Sequence, residues 1–480
     1  MNAGDLARAR QKMLTAIGIR DDIAVQWLVL GRIDLQLNRP LDALNDYNRV
    51  IELDATNAEA LQIVAEMSFQ TGQLTEATTA ADRILALDPN ATRALLVKGM
   101  VALDQKKPAD AVTFADQLLA ISPNDELGNV LRARILAIGG NFGAARALID
   151  ANIPPGSRTE ATLSTIVEIE RAEGDPARLT AAYEALLASR SKDVALRIEF
   201  AQFLYKIANA AKARTLLFDF INQNPNSINV MQTVRATWLD NDPDPLTPAQ
   251  LAQIAKAGSV TVRTGVARYL LARDRASEAL AILSAGARGG TTEARSLYAM
   301  ALYATGKVQD AKAIIDDILE TDRANNDALL VRGRMALAGG NLSAALGDIQ
   351  IVVSDDPQNL QALALISDIL VRRGEARRAT QAYESAIRDA PLTMSVTRDY
   401  SQLLRRMGNK ARGLSVARDF TIRSPGSVAG WDNYAAQCRF FGEPACAAAA
   451  ARGRALAVRS FKLDERPGSV SGRGLFGALS

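Results

Sequence analysis

The sequence predicts an all-α solenoid, a stack of helix hairpins. Three observations predict it: a 34-residue period, two columns of small residues within that period, and glycine and proline punctuation at fixed places. The period starts at Ala24 and returns at Ala58, Thr92, Glu126, Glu160 and Val194; it resumes at Thr292 and continues at Asn326, Leu360, Met394 and Val428. Self-similarity at such a fixed spacing marks a repeat array rather than a set of separate globular domains. Counting the first residue of each unit as position one, position eight reads Gly31, Ala65, Gly99, Ala133, Val167, Ala201, Ala299, Gly333, Ser367, Ser401 and Ala435. Position twenty reads Ala43, Ala77, Ala111, Ala145, Leu179, Ala213, Ala311, Ala345, Ala379, Gly413 and Ala447.

Each unit divides in the same way. A first apolar-periodic helix ends at a turn glycine, as at Gly72, Gly140, Gly174, Gly306, Gly340, Gly374, Gly408 and Gly442. A second helix follows and stops at a proline, as at Pro89, Pro123, Pro225, Pro357, Pro391 and Pro425, because proline lacks the N–H that continues a helix. The small residues let the two helices approach closely, and Leu30, Tyr47 and Val50, or Phe200, Leu217 and Phe220, fill the seam. A hairpin of this size cannot bury both faces alone, so the units stack.

With these residues in place the chain resembles the tetratricopeptide-repeat family. Trp27, Leu30, Gly31, Ala43, Tyr47 and Val50 follow its motif, and Ala55 stands where the family usually has proline. The likeness reaches to about residue 460. A 35-residue RNA-reading repeat would slip one residue per unit, and no slip is seen. The resemblance implies a right-handed superhelical solenoid of about thirteen units whose first helices line a concave groove for peptides or partner helices.

Between residues 228 and 291 two units are compressed into a shorter span. Ile228 to Leu239 reads as a first helix, Asp240 to Pro248 as a rigid exposed connection, and Leu251 to Ala257 as a shortened second helix. The unit from Val260 keeps Ala267 and Ala279 but ends in Gly286, Gly289 and Gly290. A bend here divides the expected blocks into 1–245 and 246–466, with a disordered tail over 467–480; a loop insertion that leaves the stack straight fits as well. At the start, stepping back one period puts Gly4 and Asp5 at a turn and Ala9 at position twenty. Two readings fit: a second helix continuing from a longer reading frame, or a degenerate cap.

Composition excludes much chemistry. The 480 residues include no histidine and two cysteines, with 56 Lys and Arg against 53 Asp and Glu. Without imidazole there is no Ser-His-Asp or Cys-His centre and no histidine metal ligand. No Gly-rich phosphate loop follows a strand, and no apolar run approaches the roughly 20 residues of a membrane helix. The carboxylates, including Asp316–Asp317 and Asp355–Asp356, read as solvated helix faces. No enzyme, cofactor or metal is expected.

The groove positions implied by the resemblance carry Leu28, Leu35, Leu96, Met100, Leu103 and Tyr205 in the N-terminal block, and Arg334, Arg372, Arg398, Arg405, Arg406 and Arg439 in the C-terminal block. Residues 360–480 hold 19 Lys and Arg against 10 Asp and Glu, a net +9, whereas the preceding residues net −6. The expected partner is a protein or peptide, with an acidic segment at the basic end, where arginine favours carboxylates. A solvated surface that balances the acidic half explains the same charges. Leu28, Arg32 and Ile63 stand where a chaperone-tail groove needs Lys and Asn, so that version fails. Few groove aromatics argue against single-stranded nucleic acid.

Cys438 and Cys446 flank the last turn. Either they form a disulfide that staples the terminal hairpin, which points to an oxidising compartment such as a periplasm, or they are two buried thiols of a cytoplasmic protein. Leu475 and Phe476 in the tail offer a short docking element or a passive end. The reading that follows is a non-enzymatic interaction scaffold, similar in flavour to long bacterial envelope-associated repeat proteins. The alternative is the detached accessory region of a larger polysaccharide-export, secretion or transferase system.

Overall fold

The computed structural model describes residues 3–284 and 290–459. Its regular structure is helical: a lone first helix and then helix pairs, with one 3₁₀ turn at Pro155–Ser157. The described residues fall into two compact units, one reaching to Ser191 and one beginning at Lys192.

The first unit holds α1 (Ala3–Ile19), then the pairs α2 (Ala24–Gln36) and α3 (Pro40–Leu53), α4 (Ala58–Thr71) and α5 (Leu74–Leu87), α6 (Thr92–Asp104) and α7 (Pro108–Ile121), α8 (Glu126–Ile138) and α9 (Phe142–Asn152), α10 (Glu160–Glu173) and α11 (Pro176–Ser189). The second holds α12 (Val194–Lys206) and α13 (Ala210–Gln223), α14 (Ile228–Asn241) and α15 (Pro248–Ala257), α16 (Val260–Ala272) and α17 (Ala276–Leu283), α18 (Thr292–Ala304) and α19 (Val308–Thr321), α20 (Asn326–Ala338) and α21 (Leu342–Asp355), α22 (Leu360–Arg372) and α23 (Ala376–Asp389), α24 (Met394–Arg406) and α25 (Lys410–Arg423), α26 (Val428–Phe440) and α27 (Pro444–Arg459). Each unit is thus an all-α stack of antiparallel pairs, as the period predicts.

The repeat columns have physical jobs. Position twenty is sealed: Ala43, Ala77, Ala111, Ala145, Ala213, Ala311, Ala345 and Ala379 are all fully buried. Position eight is small because a neighbouring side chain presses on it, from position twenty-four of the paired helix at Gly31 and Gly333 and from Leu131 of the next unit at Gly99. A Cβ on Gly31 would come within 2.9 Å of the Tyr47 ring, and one on Gly333 within 2.7 Å of Ile349. At Gly31 and Gly333 the tightest contact runs diagonally across the hairpin, and at Gly333 position twenty faces it too, the Ala345 carbonyl oxygen lying 3.6 Å from such a Cβ. The turn glycines lie at position fifteen in the left-handed region, at φ 80° for Gly72 and 86° for Gly306, where a side chain is costly. Asn38, Lys106, Ala208 and Asp274 occupy the same place in other units and take the same conformation. Just before many first helices stands a polar cap: Asn57, Asp125, Asp193, Asn325 and Asn359 accept hydrogen bonds from the N–H three residues on, satisfying a donor the helix leaves open.

Three expectations are corrected or refined. The boundary between compact units lies before α12, so residues 245 and 246 fall inside the second unit. The connection after α14 is exposed at Asn241, Pro243, Asp244, Thr247 and Pro248 but is anchored rather than free: Asp242 is 2% and Leu246 3% exposed. The Asp242 carboxylate takes both arms of Arg214 at 2.8 and 2.9 Å, and its carbonyl accepts from the buried Tyr269 hydroxyl at 2.7 Å. These contacts pin Asp242 into the core with Leu246, while Pro243, Asp244, Thr247 and Pro248 stay at the surface. Gly4 and Asp5 lie inside α1 rather than at a turn. The expected tail 467–480, with Leu475 and Phe476, and residues Gly286 and Gly289 lie outside the described residues.

The second unit also folds back on itself. Lys206 Nζ, at the end of α12, donates to the Gly426 carbonyl before α26 at 3.2 Å, and α14 touches α24. No 34-residue period encodes those meetings.

Candidate functional site

The structure sorts the candidate groove residues into three states. Leu96 and Met100 are 1% exposed. They belong to the core, and Arg134 of α8 reaches over to the Met100 sulfur at 3.8 Å. As contact residues for a partner they are corrected, because both are buried in the core of the first unit. Leu28, Leu35 and Leu103 are half-buried against the core of the first unit. In the second unit Tyr205 is half-buried with its hydroxyl beside Asp242; burial, reinforced by that carboxylate, pushes its pKa up.

The arginines gather unevenly. Arg334, Arg398 and Arg405 are half-buried, while Arg372, Arg406 and Arg439 are exposed. Burial depresses the pKa of the Arg334 guanidinium. Arg372 pairs with Asp368 one turn away at 3.0 Å, an exposed contact of small energetic weight. The ends of α24 and α26 bring the others together. Arg405 and Arg406 sit in the last turn of α24, and Arg439 in that of α26, where positive charge meets the negative end of the helix dipole. The Arg405 guanidinium lies 5.5 Å from the centre of the Phe440 ring, a cation–π geometry. Its pKa is lowered by burial and by Arg439 alongside, and its Nε is buried with no acceptor. Phe440 is 58% exposed and braced edge-on by Phe441 at 4.9 Å. The result is a ridge in which Arg405 of α24 lies on an exposed aromatic ring with Arg439 of α26 alongside, and Arg406 follows on α24. Chemically it can fork onto carboxylates while giving an apolar side chain a surface to rest on.

Sequence reading missed the buried carboxylates. Asp34, Glu66, Glu170, Asp242, Asp327 and Asp348 are all buried, not solvated. Glu66 takes Arg93 at 2.8 Å, Asp348 takes Arg332 at 2.7 Å, and Asp327 takes Arg268 at 2.7 Å. Arg268 also donates to Glu293 at 3.0 Å, so one guanidinium ties α16, α18 and α20. Burial works against its charge, and Asp327 with Glu293 outweighs that penalty. The available signal was positional: Asp34 and Glu170 stand at position eleven, which is Leu, Ala, Ser or Cys in the other regular units.

The last hairpin joins Cys438 to Cys446 as a disulfide with a Cα separation of 5.5 Å, inside the range such a bridge requires. Among the described residues no group of three or more His, Cys, Asp or Glu is placed to hold a metal ion, and no helix is long and apolar enough to cross a membrane.

Comparison with known proteins fits this architecture. The tetratricopeptide-repeat family model matches residues 28–92, 69–126 and 297–359. No curated protein sequence matches the chain. Among solved structures, it is similar to a thermophilic TPR protein of Thermus thermophilus, at 19% identity over 38% of this chain and 99% of that one, with a TM-score of 0.35. It is similar to pilF of Pseudomonas aeruginosa at 19% identity over 40% and 86% of the two chains, with a TM-score of 0.32. Yeast Tom70 is 13% identical over 91% and 96%, with a TM-score of 0.34. The family match falls on helix pairs whose 34-residue pattern continues in both units, and the matched stretches are tetratricopeptide repeats.

Proposed function

We propose that this chain is a non-enzymatic scaffold that binds partner proteins, and that its second unit takes an acidic segment at the ridge formed by α24 and α26. The observation that carries the reading is the exposed Phe440 ring beside Arg405, with Arg439 next to that guanidinium and Arg406 the following, exposed residue of α24. Nearby carboxylates are already engaged: Glu443 pairs with Lys410 and Glu384 with Arg412, while Asp399 lies within electrostatic reach of Arg398 and Arg406. Stacked repeats offer extended surfaces for such partners.

Arg406 and Arg439 are the informative residues because both are exposed and substitution leaves the core intact. Partners captured by the full chain are expected to be lost, or bound at least about tenfold more weakly, when both are changed to Glu, since like charges then face the acidic segment. Capture by the wild type should weaken with added salt. Unchanged partners and an unchanged salt dependence in the double variant would count against the ridge.

We further propose that the protein works in an oxidising compartment, a bacterial periplasm or envelope, because the Cys438–Cys446 bridge closes the last hairpin and such bonds persist where thiols are not kept reduced. Protein purified from its native cell and unfolded without reductant is expected to show no reactive thiol. Two reactive thiols would place it in the cytoplasm instead.

A further inference from the structure

Antiparallel helices put the turns inside successive hairpins on one edge of a stack and the connections between hairpins on the other. In the second unit that edge is basic at three turns in a row, those joining α22 to α23, α24 to α25 and α26 to α27. Residues 371–378, 405–412 and 439–446 make these turns and the helix ends beside them. They hold four, four and one Lys or Arg, nine in all, against the two acids Glu375 and Glu443.

The carboxylates within reach are mostly taken. Glu375 holds Arg373 and Arg378, and Glu443 holds Lys410. Asp368 and Glu384, deeper in their helices, hold Arg372 and Arg412 at 3.0 Å. Four guanidiniums are left over. Among the described residues nothing takes Arg377, Arg405, Arg406 or Arg439 in a hydrogen bond or an ion pair, and Asp399 acts on Arg406 only through space. Arg377, Arg406 and Arg439 are exposed. Each of three consecutive hairpins therefore offers an uncommitted guanidinium at the same edge.

Their spacing restricts the ligand. Cα atoms of α23 and α24, and of α24 and α26, come within 8 Å of each other, and the axes of packed helices stand about 8–10 Å apart. The guanidiniums therefore recur at steps of about 10 Å. A polyproline II segment has three residues per turn and rises about 3.1 Å per residue, so every third side chain returns to one side about 9 Å further on. A helix repeats a face about every 5.4 Å and a strand about every 7 Å, so neither keeps step.

We infer that this edge is a track for an acidic segment of a partner protein in the polyproline II conformation, with a carboxylate at every third residue. The inference rests on the acidic-segment reading of the ridge at α24 and α26 and extends it to Arg377 of α23. Each carboxylate that meets a guanidinium gains a charged, forked hydrogen bond. Matched anchors reinforce one another because the second and third contacts form within one complex. A lipid surface fits less well: the anchors lie in a row, and only Val371 and Phe440 are large apolar side chains exposed at these described turns, too few to enter a bilayer.

Titration of the full chain with two labelled peptides tests this: four Glu-Pro-Pro triplets, and the same residues with the four glutamates placed together. The triplet peptide is expected to bind at least about tenfold more tightly. Arg377→Glu should remove most of that advantage. Arg323→Glu, an equal change of charge at an exposed site on the opposite edge before α20, should leave it intact. Equal affinity for the two peptides, or the same effect from Arg377→Glu and Arg323→Glu, would overturn the track while leaving the ridge. If the chain carrying both Arg406→Glu and Arg439→Glu binds the peptides as the wild type does, ridge and track fall together. Phosphatidylserine vesicles that bind the chain and are not displaced by the triplet peptide would assign the edge to a membrane and overturn the track as well.

Discussion

Replacing Trp238 by alanine is expected to cost the second unit about 3–5 kcal/mol, the range for removing a large aromatic side chain from a packed core. Trp238 is fully buried on α14 and meets Tyr269 of α16 edge-on, with ring centres 5.7 Å apart. Tyr269 in turn donates its hydroxyl to the Asp242 carbonyl, and Arg273 donates to the Leu239 carbonyl at 2.8 Å. The indole therefore sits under the hydrogen bonds that close the end of α14, and removing it loosens both. Its own Nε1 is buried without an acceptor, so Trp238→Phe also discards an unsatisfied donor and should cost much less. Urea unfolding followed by circular dichroism is the measurement. The transition of the second unit should move to lower urea, with that of the first unit unmoved. A loss under about 1 kcal/mol for alanine would mean that the site refills without strain.

Asp242→Asn carries the second large effect, about 2–3 kcal/mol, because it weakens a two-armed charged hydrogen bond to Arg214 and leaves a buried side chain with a poorer acceptor. Burial works against the Asp242 charge, yet Arg214 and the Asp244 N–H hold its carboxyl below the ordinary range. Such a carboxylate adds stability above pH about 4, and the contribution fades as acid protonates it through its depressed folded value. The wild type should therefore lose stability more steeply below pH 4 than Asp242→Asn does. Parallel acid profiles for the two proteins would show that Asp242 titrates as an ordinary exposed carboxyl.

Much of the fold was legible because the repeat states it many times over. One buried alanine is ambiguous, whereas a column of them at position twenty is a packing rule. The left-handed turn at position fifteen was legible where glycine marks it and silent at the exposed Lys106 and Ala208. There the helix-end hydrogen bonds from Lys107 N–H to the Ala102 carbonyl and from Asn209 N–H to the Leu204 carbonyl hold a non-glycine residue in a conformation it disfavours. The caps at Asn57 and Asp125 followed the same logic but went unread, since a single Asn or Asp before a helix blends into ordinary turn composition. The candidate site was less legible. Exposed arginines at helix ends were found from spacing, but Leu96 and Met100 were misplaced because spacing names a helix face and not the neighbour that covers it. Glu66, Asp242 and Asp327 were read as solvent-facing because charge normally is, and only their partners from other helices reveal otherwise. The closing contact between Lys206 and Gly426 depends on curvature summed over several hairpins, which no local pattern records.

That contact limits how the second unit can change. In an open stack each repeat touches only its neighbours, so repeats can be gained or lost singly while the remainder keeps its place. Once the hairpin at α12 is fastened to the loop before α26, the number of hairpins between them is fixed by the geometry of the clasp. Insertion or deletion of one 34-residue unit there would carry Lys206 away from its carbonyl and separate α14 from α24. Insertion or loss of a single repeat is therefore expected to be tolerated better in the hairpins outside the clasp than between α12 and α26.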